Sequence, residues 1–227
     1  MRAAGRATSA GQREAVEQLC GLYWYPLYAY VRRRGFDADQ AADLTQGFFA
    51  RLLEQRIVRG ADSGRGKFRS YLLGTLKHYL SHEWRRARAQ KRGGGREVLR
   101  LGLDDAESRF VSEPAHNLTA EKLFDRQWAL TVLELALDDL RRHSVESGKE
   151  RHFLRLKGFL AGGSSAEYRD AGGDLGLSEG AVRVVVHRLR RKYRDLVRAQ
   201  IGRTVQSPAE VEDELHHLFR AIGSAGD

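Results

Sequence analysis

Five ring-bearing side chains, Phe68, Tyr71, His78, Tyr79 and Trp84, are interleaved with the cations Lys67, Arg69, Lys77, Arg85, Arg86 and Arg88. Rings stack on unpaired bases while cations track phosphates, so this mixture suits single-stranded nucleic acid. Helical spacing directs Phe68 and Tyr79 towards a core, whereas Tyr71, His78 and Trp84 are less easily buried together. A second helix carries Arg183, His187, Arg188, Arg190, Arg191 and Arg194 on one side. Its other side carries Val182, Val185, Val186, Leu189, Tyr193 and Leu196. Arginine can pair bidentately with guanine and valine can touch a thymine methyl, so Glu179, Arg183, Val184 and His187 are placed to reach base edges. The arginines further along are placed to contact phosphate.

Other chemistry finds less support. His78 and His82 stand four apart beside Glu83, a spacing that can bind metal, but no third histidine is near. The stretch Ser63 to Phe68 resembles a phosphate-binding loop only superficially. Ala61 replaces its first glycine, and Phe68 follows Lys67 where Ser or Thr is needed. Cys20 is the sole cysteine, which excludes an intrachain disulfide and a thiolate zinc cluster. No nucleophile, base and acid can be assembled. The expectation is therefore a protein that is not an enzyme and has no metal or cofactor.

Charge is organised along the chain. Residues 65–100 hold eleven Lys/Arg against two acids, and residues 179–198 hold seven against two. Residues 101–125 hold six acids against Arg109 and Lys122. Two basic patches separated by an acidic stretch predict a grip on a polyanion at two points. A net charge of +9 agrees with such a partner. No apolar run approaches spanning length and no signal-peptide core is visible, so no membrane partner and a cytoplasmic location are expected.

The elements that position these residues read as all-α. A helix is expected from about Gln12 to Arg34, kinked at Pro26 and stopped by Gly35. Asp37 and Asp39 open a second, and a third runs from about Lys67 to Arg92. Residues 1–10 read as a frayed end and residues 60–66 as a glycine-rich loop. Ser164 or Ser165 caps a short helix, Leu177 and Ser178 form a tight turn, and the basic helix follows. The arrangement reads as a helix-turn-helix. Ser207 and Pro208 open a final helix. The expected division is a helical domain over 11–95, a linker over 96–117, a helix-turn-helix domain over 118–202 and a C-terminal extension helix over 203–227.

From about Leu19 to Arg198 the chain resembles bacterial sigma factors of the extracytoplasmic-function group. Four motifs carry the resemblance: Leu27 to Gly35; Ala42-Asp43-Leu44-Thr45-Gln46-Gly47-Phe48-Phe49; Gly66 to Leu72 followed by Trp84-Arg85-Arg86; and Leu177 to Arg183 followed by His187-Arg188. The second is similar to the family's core-polymerase motif, usually Glu-Asp-Leu-Thr-Gln-Glu-Val-Phe. The resemblance implies two small helical domains, a region 2 bundle and a region 4 helix-turn-helix. It implies binding to core RNA polymerase through Asp39, Asp43, Leu44, Gln46, Phe48 and Phe49. It implies contact with the promoter −10 element through Lys67, Phe68, Arg69, Tyr71, Lys77, His78, Trp84, Arg85 and Arg86. For the −35 element it implies Ser178, Glu179, Arg183, Val184, His187, Arg188 and Arg191. An anti-sigma factor and a Ser/Thr kinase are further partners it allows.

Departures from the family pattern add expectations. Ala42 and Gly47 stand where acids are usual, which predicts weakened core affinity. Phosphorylation of Thr45 could restore charge there. Val185 stands where arginine is frequent. Gly172 and Gly173 lie inside a helix, each at a cost of about 1 kcal/mol against alanine, and predict a loose C-terminal domain. The acids Glu210, Glu212, Asp213 and Glu214 oppose the basic C-terminal helix in sign, so the last helix is expected either to dock on the C-terminal domain or to cover core. A stand-alone helix-turn-helix regulator is the alternative, although it leaves Asp43 to Gln46 and the aromatic-cationic helix unexplained. A nucleic-acid enzyme or RNA-binding protein would need ligands or acids that cannot be assembled.

Overall fold

The computed structural model describes residues 2–54, 68–89, 103–112, 118–205 and 207–223. Among them every regular element is helical, as the periodicity predicts. The α-helices are α1 (Arg2–Arg33), α2 (Ala38–Glu54), α3 (Phe68–Ala89), α4 (Leu103–Ser112), α5 (Ala120–Glu146), α6 (Glu150–Leu156), α7 (Ser165–Leu175), α8 (Glu179–Gly202) and α9 (Pro208–Gly223). They group into two compact units, Met1–Thr131 with Thr204–Asp227, and Val132–Arg203. The glycine-rich loop 60–66, Lys67 and the glycines 93–95 lie outside the described residues.

In the first unit, α1 begins at Arg2, ahead of the expected start, and contains Pro26. Gly35 takes a left-handed φ of 95° and donates to Arg32 O at 3.0 Å, ending the helix. The Asp37 carboxylate accepts from Gln40 N at 2.8 Å and opens α2. Leu22, Leu27 and Val31 of α1, Ala41, Phe48 and Leu52 of α2, and Leu72 and Leu76 of α3 form the apolar interior. These positions share one stripe of each helix because only that stripe faces inward.

The segment expected as an acidic linker contains α4, which packs on α1 and α2. The Arg32 guanidinium forks onto the Glu107 carboxylate at 2.6 and 2.9 Å, and the Tyr28 hydroxyl donates to the same group. Arg32 also lies over the Phe110 ring at 4.8 Å, and Arg109 over Tyr25 at 4.1 Å. One acid of the expected connector, Glu107, is instead paired with an arginine on α1. Arg32 beside Glu107 holds its carboxyl below the usual range.

Helix α9 belongs to the first unit, and of the two expectations for it the core-covering one is met. Its Leu218 is fully buried and its Glu214 is only 2% exposed. A carboxylate at that depth needs a cation, and Arg69 of α3 supplies it at 3.2 Å.

The second unit is built from residues 132–146 of α5, then α6, a 3₁₀ turn over Lys157–Leu160, α7 and α8. Leu156, Phe159, Tyr168, Ala171, Val182 and Val186 form its core, with Val185 and Leu189 packed against them. Asp139 accepts from Gln200 Nε2 at 2.7 Å, and the Tyr193 hydroxyl donates to Leu133 O at 3.0 Å. Ser164 and Glu167 form a reciprocal capping box at the start of α7. Gly176 ends α7 with φ 67°, and Ser178 caps α8 by accepting from Ala181 N at 3.2 Å.

The paired glycines do not have one meaning. A Cβ on Gly172 would stand 2.5 Å from Leu177 O, whereas none of its neighbours would crowd a Cβ on Gly173. Gly172 therefore permits the tight turn between α7 and α8, and Leu177 N donates to its carbonyl at 2.8 Å. Gly172→Ala should destabilise the protein by about 1–3 kcal/mol, and Gly173→Ala should stabilise it by about 0.5–1 kcal/mol. Chemical denaturation followed by circular dichroism checks both.

The Arg32–Glu107 pair makes a pH prediction. A carboxyl with a lowered folded pKa contributes stability that is present above its unfolded value, near 4.5, and is lost as pH falls through the folded pKa. Glu107→Gln should cost roughly 1–2 kcal/mol at pH 7. It should also flatten the fall in stability below about pH 4.5, read as melting temperature against pH.

Candidate nucleic-acid interface

Helix α3 separates the −10 residues expected from sequence into two groups. Phe68 and Arg69, at its start, turn inward. Phe68 meets the Tyr23 ring edge-on at 5.7 Å, and Arg69 is only 6% exposed. Asp125 and Glu214 both engage the Arg69 guanidinium, which lies 5.0 Å from the Trp128 ring centre. Tyr71 is half-buried, its ring 6.4 Å from Phe68. The expectation that Arg69 is an exposed nucleic-acid contact is thus corrected for this conformation, because two carboxylates far away in sequence claim it.

The second group does face out. Lys77, His78, Arg85 and Arg86 are exposed, and Trp84 is 54% exposed. Lys77 pairs with Glu121 at 2.8 Å, and the pairing holds the Lys77 ammonium pKa up and the Glu121 carboxyl pKa down. A groove of about 290 Å3 runs between α2 and α3, lined by Phe48, Arg51, Leu52, Thr75, His78, Tyr79, His82 and Arg85. Among the described residues it carries two arginines, two imidazoles and an aromatic face, and Glu83 lies 3.7 Å from His82. Such a lining accepts a phosphate and a stacked ring. Arg51 and His82 were not among the residues expected from sequence. Arg51 enters because α2 and α3 bring its guanidinium to 6.0 Å from the Tyr79 ring, a long-range placement.

On α2 the expected polymerase contacts also divide. Asp39 and Asp43 are exposed, and Leu44 and Gln46 are half-buried. Burial pushes the Asp43 carboxyl pKa up, and Asp39 and Asp37 push it the same way. Three carboxylates that burden one another are relieved by a cationic partner. Phe48 and Phe49 are 2% and 5% exposed, so they support the helix rather than present a surface, which corrects their expected role. Thr45 is fully buried, and its hydroxyl donates to Ala41 O at 2.7 Å. It offers no accessible hydroxyl to a kinase in this fold, so the expected phosphorylation there is withdrawn.

The two acid-for-small departures have a packing reason. Ala42 is buried, and a Cβ on Gly47 would stand 2.5 Å from the Tyr79 hydroxyl. These positions face the interior, and the exposed acids of α2 stay in place.

In the second unit, Val184, His187, Arg188 and Arg191 are exposed on one face of α8 at spacings of three and four. Arg183 sits at its edge, held by Glu179 at 2.8 Å and Ser165 at 2.8 Å, and lies over the Tyr168 ring at 4.7 Å. Ser178 is a helix cap, and Glu179 also approaches Arg169 at 3.9 Å. Val185 is packed against the core, so the missing arginine there removes nothing from the outer face. Arg190 donates twice to Phe159 O, at 3.0 and 2.6 Å, and serves the fold.

Residues 24–90 match the family model Sigma-70 region 2. The match supports a sigma-70 family factor, with RNA polymerase binding and promoter recognition. It contains α2, α3 and the C-terminal part of α1, and so contains the acidic face and the cationic groove together. No curated protein and no solved structure matches the chain. No described helix is long and apolar enough to cross a membrane. Among the described residues no group of three His, Cys, Asp or Glu could hold a metal ion.

The packing of this region 2 segment yields a double-mutant prediction. Gly47→Ala should cost about 1–3 kcal/mol, and Tyr79→Phe in the same chain should recover part of the loss by removing the crowding hydroxyl. Additive losses in urea denaturation would contradict the assigned contact.

Proposed function

We propose that this chain is a sigma factor of the extracytoplasmic-function group, which brings core RNA polymerase to promoters and reads their −10 and −35 elements. One observation carries the reading: the Sigma-70 region 2 match spans both an exposed acidic face on α2 and a cationic, aromatic groove against α3. In this reading Asp39 and Asp43 meet a basic surface of the polymerase. His78, Trp84, Arg85 and Arg86, with Arg51 and His82, take the unpaired −10 strand. Stacking of about 1–3 kcal/mol per captured base offsets the unstacking cost.

The second unit then acts as the region 4 helix-turn-helix. Its α8 enters the major groove at the −35 element, with Val184, His187 and Arg188 towards base edges and Arg191 towards phosphate. Arg183 would exchange Glu179 for a guanine edge. The chain performs no catalysis in this account, because bond formation belongs to the polymerase. It works where the polymerase does, in the cytoplasm.

The test is binding to purified bacterial core RNA polymerase. The native chain should bind saturably. Asp39→Asn with Asp43→Asn should weaken binding by roughly 3–10-fold, more at low salt. The same pair should not lower stability at pH 7, because a raised Asp43 pKa means that its charge opposes folding there. A chain that ignores core polymerase and binds specific duplexes alone would instead be a stand-alone regulator.

A further inference from the structure

Helix α9 is acidic where it begins, with Glu210, Glu212, Asp213 and Glu214 in its first two turns. It is also anchored, because Leu215, Leu218 and Ala221 are buried. Its buried Glu214 reaches Arg69 at the start of α3, the helix that presents the cationic face. Asp125 completes the clasp and lies 3.2 Å from His217 of α9. Beneath them the Trp128 ring backs both the Arg69 guanidinium and the His217 ring, whose centre is 6.1 Å away.

A guanidinium over an indole face, occupied by carboxylates, is chemically the seat of a phosphate beside a stacked base. Glu214 of α9 occupies a guanidinium edge that a phosphodiester would take, while Asp125 of α5 stays on Arg69 when α9 leaves. We propose that α9 is an internal acidic strap that covers Arg69 and Trp128, which are 6% and 0% exposed beneath it, in place of single-stranded nucleic acid, and that binding of the strand displaces it. Displacement has a second consequence. Residues 132–203 are inserted in sequence between two parts of the first unit, so release of α9 frees one of their two tethers. A factor that reads two separated DNA elements gains reach from that release. The proposal rests on the nucleic-acid reading of the region 2 segment. Failure to bind core polymerase would defeat the function reading and leave the following assay to judge the strap by itself.

The experiment measures fluorescence anisotropy of a labelled, mixed-sequence single-stranded DNA with the full chain and with residues 207–227 deleted. Arg69→Ala is made in both backgrounds. Deletion should tighten binding by roughly tenfold, and Arg69→Ala should erase most of that gain. The Arg69 dependence separates a vacated seat from the general loss of acidic charge. Because deletion could unfold the unit, hydrogen exchange on the intact chain gives a second readout. Saturating oligonucleotide should speed exchange of the amides in 208–223. Equal affinities, a gain that survives Arg69→Ala, no binding by either form, or unchanged protection of 208–223 in the complex would each overturn the proposal.

Discussion

The first unit is organised around one cation that water barely reaches. Arg69 joins α3 to α5 through Asp125 and to α9 through Glu214, with Trp128 behind it. A buried charge is tolerable only with its partners in place, and removing one partner of such a pair typically costs about 3–5 kcal/mol. The clasp therefore fixes three helices distant in sequence. It also decides which cations of α3 are left for a ligand. With Arg69 claimed and Lys77 paired with Glu121, Arg85 and Arg86 are the exposed arginines of α3 among the described residues, and Arg85 lines the groove against α2 with His78.

The Arg32–Glu107 fork does similar work at the other side of the segment. It docks α4 on α1 and neutralises an acid that would otherwise belong to a polar connector. Tyr79 adds a steric constraint, since its hydroxyl comes close to α2 only because residue 47 has no side chain. The Tyr79 contact accounts for the small residue at position 47 and burial for that at position 42 as requirements of packing. The carboxylates Asp39 and Asp43 face outward and keep an acidic surface on α2.

Much of this was legible in the chain. The stripes of α2 and α3, the caps Ser164 and Ser178 and the outward face of α8 follow from spacing and local chemistry, which depend on residues a few positions apart. The errors have a common cause. Arg69 reads as an exposed cation because its partners lie 56 and 145 positions away. Glu107 reads as part of a linker because Arg32 lies 75 positions away. Thr45 and Phe49 fall in a motif that invites a surface role, yet they join Phe48, which helical spacing already places inward, in filling the buried stripe of the helix. Gly172 and Gly173 look alike in sequence and differ only in what a Cβ would meet.

The central claim is that this chain confers promoter selection on a polymerase that lacks it. Run-off transcription with purified bacterial core enzyme, a pooled genomic template and the full chain tests it most directly. Transcripts from discrete start sites, preceded by shared −10 and −35 sequences and absent without the chain, are the result expected. Start sites identical with and without the chain would contradict the account.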